Sequence, residues 1–195
     1  MNSQQSIRST CLGVLLLAAL ASACSKEDDA AVKGRTGPNG AARDSVSDLS
    51  LSEEGLGQIQ IGMTLGEAVN MGLLNERPDI KSECDFVYPA VGAGIPFGVG
   101  VMVVKGKVAR IDVDTGSVTT EDGVKIGDTE ERVKSIYGDE LQTRPHKYIE
   151  GGRYMIVKGD SASAGKEIVF ETDGKTVTMF RAGRLPEVEW VEGCS

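Results

Sequence analysis

The chain contains one histidine, His146, in the run Arg144-Pro145-His146-Lys147-Tyr148. As a catalytic base it would need a nucleophile to activate and an acid to orient it, and the sequence has no Gly-x-Ser-x-Gly elbow. It reads instead as a loop histidine in a turn before a strand, with a contact in a binding surface as the other reading. Asp112-Val113-Asp114-Thr115-Gly116 opens like a calcium loop, with oxygen ligands at alternate positions. Ser117 then stands where such a loop needs glycine and Gly123 where it needs glutamate, so the run reads as a strand end entering a turn. Gly92, Gly94, Gly98 and Gly100, interleaved with Pro89 and Pro96, lack the lysine-serine ending or strand-glycine-helix order of a phosphate cradle. They read as a flexible loop or bulged edge leading to Phe97, and long loops of this kind also carry binding residues. Glu53-Glu54 and Glu130-Glu131 are adjacent in sequence, so on a helix they point to different faces and cannot share a substrate. They read as solvated glutamates in first helical turns, where the dipole favours them. The expectation is no catalytic residue, no cofactor, no metal and no small-molecule substrate.

The other reactive side chains are cysteines, and their reading depends on the N-terminus. Residues 1–23 have a polar start with one cation, Arg8, an apolar run from Leu12 to Ala23, and small residues Ala21-Ser22-Ala23 before Cys24. This is the pattern of a secretory signal peptide, and its run of about 12 residues is too short to remain as a membrane span. Leu20-Ala21-Ser22-Ala23-Cys24 resembles a bacterial lipobox, with alanine at the third place before the cysteine where leucine is usual. The resemblance implies that Cys24 is alkylated with diacylglycerol and becomes the acylated N-terminus; ordinary cleavage with Cys24 left free is the alternative. Several acyl chains give stable anchoring where one gives only marginal binding. Ser25 after the cysteine implies, by the same resemblance, an outer-membrane lipoprotein facing the periplasm or the cell surface. Residues 24–48 are rich in Ser, Asp, Lys, Ala and Gly and lack an apolar period, so they read as a lipidated disordered tether. Its flexible part would spread over roughly 24–29 Å. With Cys11 in the removed segment and Cys24 acylated, Cys84 and Cys194 remain, and in an oxidising compartment they most simply pair with each other. A metal site is the competing reading, disfavoured by the lack of CxxC spacing and the single histidine.

Charge narrows the partners. The chain carries 29 acidic against 21 basic residues, a net −8, and removal of Arg8 with the signal peptide makes it −9. A nucleic-acid binder needs a basic stripe to neutralise phosphates, which this balance argues against. One tryptophan, Trp190, and 5% aromatic residues leave few platforms for stacking bases.

The elements that would position these residues repeat. Ile59-Gln60-Ile61-Gly62-Met63-Thr64 followed by Glu67-Ala68 and Met71 is matched, 65 residues on, by Val124-Lys125-Ile126-Gly127-Asp128-Thr129 followed by Arg132-Val133 and Ile136-Tyr137-Gly138. Each copy reads as an extended entry, a glycine turn and a capped helix. Thr64 with Glu67 forms a capping box, and Asp128 with Glu131 offers the same arrangement. Ala68 with Met71, and Val133 with Ile136 and Tyr137, supply an apolar stripe, and Gly138 stops the second helix. Strands are expected over 85–88, 97–104 and 108–113, with Lys105-Gly106-Lys107 as a hairpin turn, and over 154–157, 168–171 and 176–181, with a turn at Thr172-Asp173-Gly174. A last strand is expected at Val188–Val191, within a C-terminal strand segment 187–195. The predicted globular domain, 49–195, is α+β: two tandem helix plus antiparallel β-meander repeats, about 57–116 and 122–183, share one sheet with helices on one face.

Gly62-Met63-Thr64 with Glu67-Ala68 resembles the helix start of small outer-membrane assembly lipoproteins, and the helix-plus-meander repeat is similar to tandem-repeat beta-lactamase inhibitor proteins. Over roughly residues 50–140, Ser52-Glu53-Glu54-Gly55-Leu56-Gly57, Arg110-Ile111-Asp112-Val113 and Gly123-Val124-Lys125-Ile126-Gly127 resemble an uncharacterised family of envelope-stress-regulated lipoproteins. These resemblances imply fold and compartment and carry over no catalytic residues. The sequence therefore predicts a non-catalytic, lipid-anchored envelope protein that binds another macromolecule, as an inhibitor or immunity protein against a basic envelope enzyme or as a scaffold. An outer-membrane assembly or maintenance lipoprotein is the alternative.

Overall fold

Alternation of apolar side chains builds most of this molecule, whose computed structural model describes residues 49–76 and 83–195. The signal peptide, Cys24 and the tether lie outside the described residues. In chain order the strands are β1 (Ser50–Ser52), β2 (Gly55–Leu56), β3 (Ile59–Gln60), β4 (Cys84–Val87), β5 (Val99–Val104), β6 (Lys107–Val113), β7 (Thr119–Thr120), β8 (Leu141–Pro145), β9 (Arg153–Lys158), β10 (Lys166–Thr172) and β11 (Val177–Arg184). Two helices, α1 (Leu65–Asn70) and α2 (Glu130–Tyr137), interrupt them, so the fold is mixed α+β and mostly β.

Seven strands form one antiparallel sheet in the order β4-β5-β6-β11-β10-β9-β8. Its centre is the pairing of β6 with β11, where Arg110 faces Gly183 and Val113 faces Phe180. A second, four-stranded sheet runs β3-β2-β1-β7, with β1 and β7 parallel. Successive residues of a strand face opposite sides, and the core divides accordingly. Val101, Ile111, Phe170 and Phe180 bury into one cluster with Leu51, Leu56 and Ile59, and that cluster also takes in Ala68 of α1 and Val133 and Tyr137 of α2. Their alternates, Met102 with Val104 and Val169 with Ile156, belong to two smaller clusters.

Each helix start is stitched to a hairpin by the same set of backbone bonds. Gly62 N–H donates to Val108 O (2.8 Å), Val108 N–H to Met63 O (2.8 Å) and Leu65 N–H to Gly106 O (2.9 Å). At the second helix Gly127 donates to Val177 O (2.9 Å), Val177 to Asp128 O (2.9 Å) and Glu130 to Lys175 O (3.0 Å). Thr64 caps α1 in a full capping box with Glu67. The expected Asp128–Glu131 box is absent: Thr129 is the N-cap of α2, accepting from Arg132 N (3.2 Å), while Asp128 accepts from Lys125 N and Arg132 Nε. Arginine at the third helical position has no acceptor to return to the cap, so the second box cannot close.

Other expectations also change. Met71 is no part of a stripe, because α1 ends at Asn70 and leaves Met71 as a C-cap 51% exposed. Glu53 and Glu54 occupy the turn between β1 and β2, and Glu54 pairs with Lys166. Glu130 is buried: its carboxylate accepts from Thr172 Oγ1 (2.7 Å), Lys134 (3.4 Å) and Arg153, a set of donors that replaces water. The strand β8 carries no sequence signal, since only Leu141 of its five residues is even half-buried and no apolar alternation marks it. No strand forms over 187–195; Glu187–Glu189 is a short 3-10 turn. The carbonyls of that segment are taken by arginine side chains from the sheet rather than by a neighbouring strand, so it lies across a sheet face instead of beside an edge.

Candidate functional site

Among the described residues, the glycine-rich loop between β4 and β5 holds the two most exposed large apolar side chains, Val91 and Phe97, with Tyr88 beside them. Tyr88 is 58%, Phe97 90% and Val91 fully exposed. Both ends of the loop are fixed. On the β4 side, Asn75 N–H donates to Tyr88 O (3.0 Å), Ala90 N–H to Leu73 O (3.0 Å), and the Asn75 amide to Pro89 O (3.0 Å). On the β5 side, Asp114 N–H donates to Gly98 O (3.0 Å), and Gly98 (φ +91°) lies so close to Thr115 that an added Cβ would sit 2.5 Å from its carbonyl oxygen. Only glycine fits there. A loop tied in this way presents its apolar tip in a defined place.

Behind the tip the loop overhangs a groove of about 690 Å³ on the sheet. Its floor is Gly100 with the Arg110–Asp112 pair, one wall is Phe86, Tyr88 and Phe97, and the other is Val191 to Gly193. The floor dips at Gly100, whose missing side chain leaves the Phe86 and Tyr88 rings 3.5 and 3.8 Å from where a Cβ would stand. Arg110 Nη2 donates to Asp112 Oδ2 (3.0 Å), while Nε lies 2.8 Å from Oδ1 outside hydrogen-bond alignment. Burial pushes the Asp112 carboxyl up from the usual aspartate range even with Arg110 beside it. Among the described residues of the lining there is no serine, threonine, cysteine, histidine or lysine.

Below the groove, residues 187–194 cross the sheet as a strap. Arg110 Nη1 donates to the carbonyls of Glu187 (3.2 Å) and Trp190 (2.6 Å), and Arg181 Nε to that of Val188 (2.6 Å). Val188 is fully buried against Tyr154, Ile156 and Val169. Arg184–Glu187 (2.8 Å), Arg144–Glu189 and Lys147–Glu192 (2.6 Å) ion pairs flank it. The sulfurs of Cys84 and Cys194 are 2.02 Å apart, which ties the strap covalently to β4.

His146 lies in the loop between β8 and β9, away from the groove, and its side chain is only 5% exposed. Its Nδ1 accepts from the N–H groups of Tyr148 and Ile149 (3.1 Å each), its Nε2 is 3.2 Å from Glu171, and its ring stacks on Tyr154 at 4.5 Å. Nδ1 is thus an acceptor, so Nε2 carries the proton and donates to Glu171. Glu171 is bound in turn by Arg181. Burial alone would raise the Glu171 carboxyl; Arg181 and His146 hold it below the ordinary glutamate range. Both imidazole nitrogens are engaged in holding a loop and a carboxylate.

Of the residues singled out from the sequence, Cys84 and Cys194 come together, Gly92, Gly94, Gly98 and Gly100 frame the exposed loop and the groove floor, and His146 joins neither. Cys24 is outside the described residues. Among the described residues no three or more His, Cys, Asp or Glu side chains are placed to hold a metal ion, and no helix is long and apolar enough to cross a membrane. Sequence reasoning misses the arginines that clamp the strap; the signal that could find them is that Arg110, Asp112, Glu171 and Arg181 are charges set inside otherwise apolar strand runs. Comparison with protein-family models, with curated proteins and with solved structures finds no match.

Proposed function

We propose that this is a non-catalytic, lipid-anchored protein of the bacterial cell envelope that binds another protein through the 88–98 loop, as an inhibitor or immunity protein against a basic envelope enzyme. One observation carries the reading. Tyr88, Val91 and Phe97 stand in water on a loop whose two ends are hydrogen-bonded to the body. Burying a Phe-sized side chain contributes about 2–3 kcal/mol, a gain this loop leaves for a partner to supply. A net charge of −8 adds long-range attraction toward a cationic partner and speeds encounter.

Within this reading the folded part is a duplicated helix-and-meander module whose halves share the seven-stranded sheet and lay both helices on one face. The matched stitches at Gly62–Val108 and Gly127–Val177 support it. So does the register, in which Asp112 and Arg181, at matching hairpin positions, face each other at the centre.

The test is capture from envelope extract by the full chain, compared between wild type, Phe97→Asp and Met71→Asp. A partner lost with the first substitution, kept with the second and released as salt rises supports the inhibitor reading. A partner indifferent to salt favours an assembly or maintenance lipoprotein instead, and one that survives Phe97→Asp removes the loop from the interface.

A further inference from the structure

The groove behind the loop has a chemistry of its own. Among the described lining residues are three carboxylates, Asp112, Asp114 and Glu192, and one cation, Arg110; Glu192 is paired with Lys147 and Tyr148, which leaves Asp114 as the carboxylate without a partner among the described residues. That cation is already committed, bonded to Asp112 and to two strap carbonyls. Asp114 stands exposed at the rim, and its backbone is pinned to Gly98. One wall is aromatic, and the groove's volume of about 690 Å³ leaves room for a chain of methylenes beside it. Such a space attracts a positive charge carried on an apolar stem: the ring faces and Asp114 both favour the cation, and the stem buries apolar surface. An acidic ligand would meet Asp114, and a purely apolar one would leave it uncompensated.

We propose that this groove is the anchor site for a single lysine or arginine side chain of the partner protein, its stem lying between Tyr88 and Phe97 and its charged end meeting Asp114. The inference rests on the loop reading above and names the feature of the partner that the loop selects: a basic residue set among apolar ones. Val91, also in the groove lining, covers with Phe97 the apolar surroundings of that residue. Asp112, in the floor, makes no direct contact, since Arg110 already occupies it.

The experiment uses the full-length protein, isotope-labelled and held in a non-ionic detergent, titrated with Nα-acetyl-lysine methylamide and with its norleucine and glutamate counterparts. The lysine probe should move the amide signals of Gly98, Gly100 and Asp114. The norleucine probe should bind about fivefold more weakly, or less, for want of the charge. The glutamate probe should leave the signals in place. Asp114→Asn should weaken the lysine probe about fivefold, and Phe97→Ser should remove its binding. Both residues are exposed, so neither substitution disturbs the fold. Equal binding of lysine and norleucine probes, indifference to Asp114→Asn, or no movement of the groove signals would each overturn the proposal. Partner capture separates the two claims: loss with Phe97→Asp but not with Asp114→Lys sinks the anchor site alone, whereas capture that survives Phe97→Asp sinks the loop reading as well.

Discussion

A charge inside a protein is tolerated only while its partner remains, and Arg181 is the residue on which most depends. Its side chain is 2% exposed, and it holds both the Glu171 carboxylate and the Val188 carbonyl. Arg181→Leu leaves Glu171 facing His146 alone and a strap carbonyl unbonded, so we expect a loss of about 3–5 kcal/mol, read by urea unfolding at pH 7. Glu171 and Glu167 then respond to acid with opposite sign. Glu171 is held below the ordinary glutamate range, so the stability it contributes is present above about pH 4.3 and disappears as pH falls through its folded value. Glu167 lies the other way: burial raises it, Glu189 raises it further, and one of its oxygens has no hydrogen bond. Ionised Glu167 therefore weakens the fold at neutral pH. Glu167→Gln should raise the melting temperature at pH 7, and the difference should vanish as the wild-type carboxyl protonates on acidification. A variant less stable than wild type at pH 7 would refute that account.

At the scale of elements, the caps are the simplest pieces to probe. Thr64 and Thr129 each accept from the third residue of their helix, both at 3.2 Å. Replacing either with alanine should destabilise the protein by about 1 kcal/mol in thermal or urea melts. The Thr64 change should be the larger, since that hydroxyl also donates to Glu67 (2.7 Å). Much of this level was legible in the sequence. The strands around 99–104, 107–113, 153–158 and 166–172 follow from apolar β-branched runs, and Lys105-Gly106, both at positive φ, make the short turn their spacing implied. Two kinds of element were hidden. β8 is an edge strand of polar residues, Gln142, Thr143 and Arg144, which pairs because β9 offers it a free backbone rather than because its side chains demand it. In the strap the apolar Val188 and Trp190 alternate like a strand, but its direction is set by Arg110 and Arg181, distant residues whose grip on its carbonyls no local pattern encodes. The loop was visible as a glycine-rich run. The groove was not, because it needs Gly100, Asp114 and Gly193 side by side.

For the molecule as a whole, the tie between Cys84 and Cys194 closes a sequence separation of 110 residues. In the chain-entropy account such a loop is worth about 4–5 kcal/mol, an upper figure. Cys84→Ser, or a reducing agent with the wild type, should therefore lower the melting temperature, and the reductant should have no further effect on the variant. An unchanged melting temperature in both would show that the strap needs no covalent tie.

The middle of the large sheet is the strand pairing that joins the residues farthest apart in sequence within it. Arg110–Val113 must wait for Phe180–Gly183, roughly seventy residues further along, and until they meet each half offers a bare backbone ladder to whatever is near. At high concentration the nearest offer is another copy, which presents the same rung at the same register. Rapid refolding of concentrated protein should thus trap interlocked pairs, one molecule's early half zipped to another's late half. Dilute refolding should return single molecules only, a contrast that gel filtration resolves.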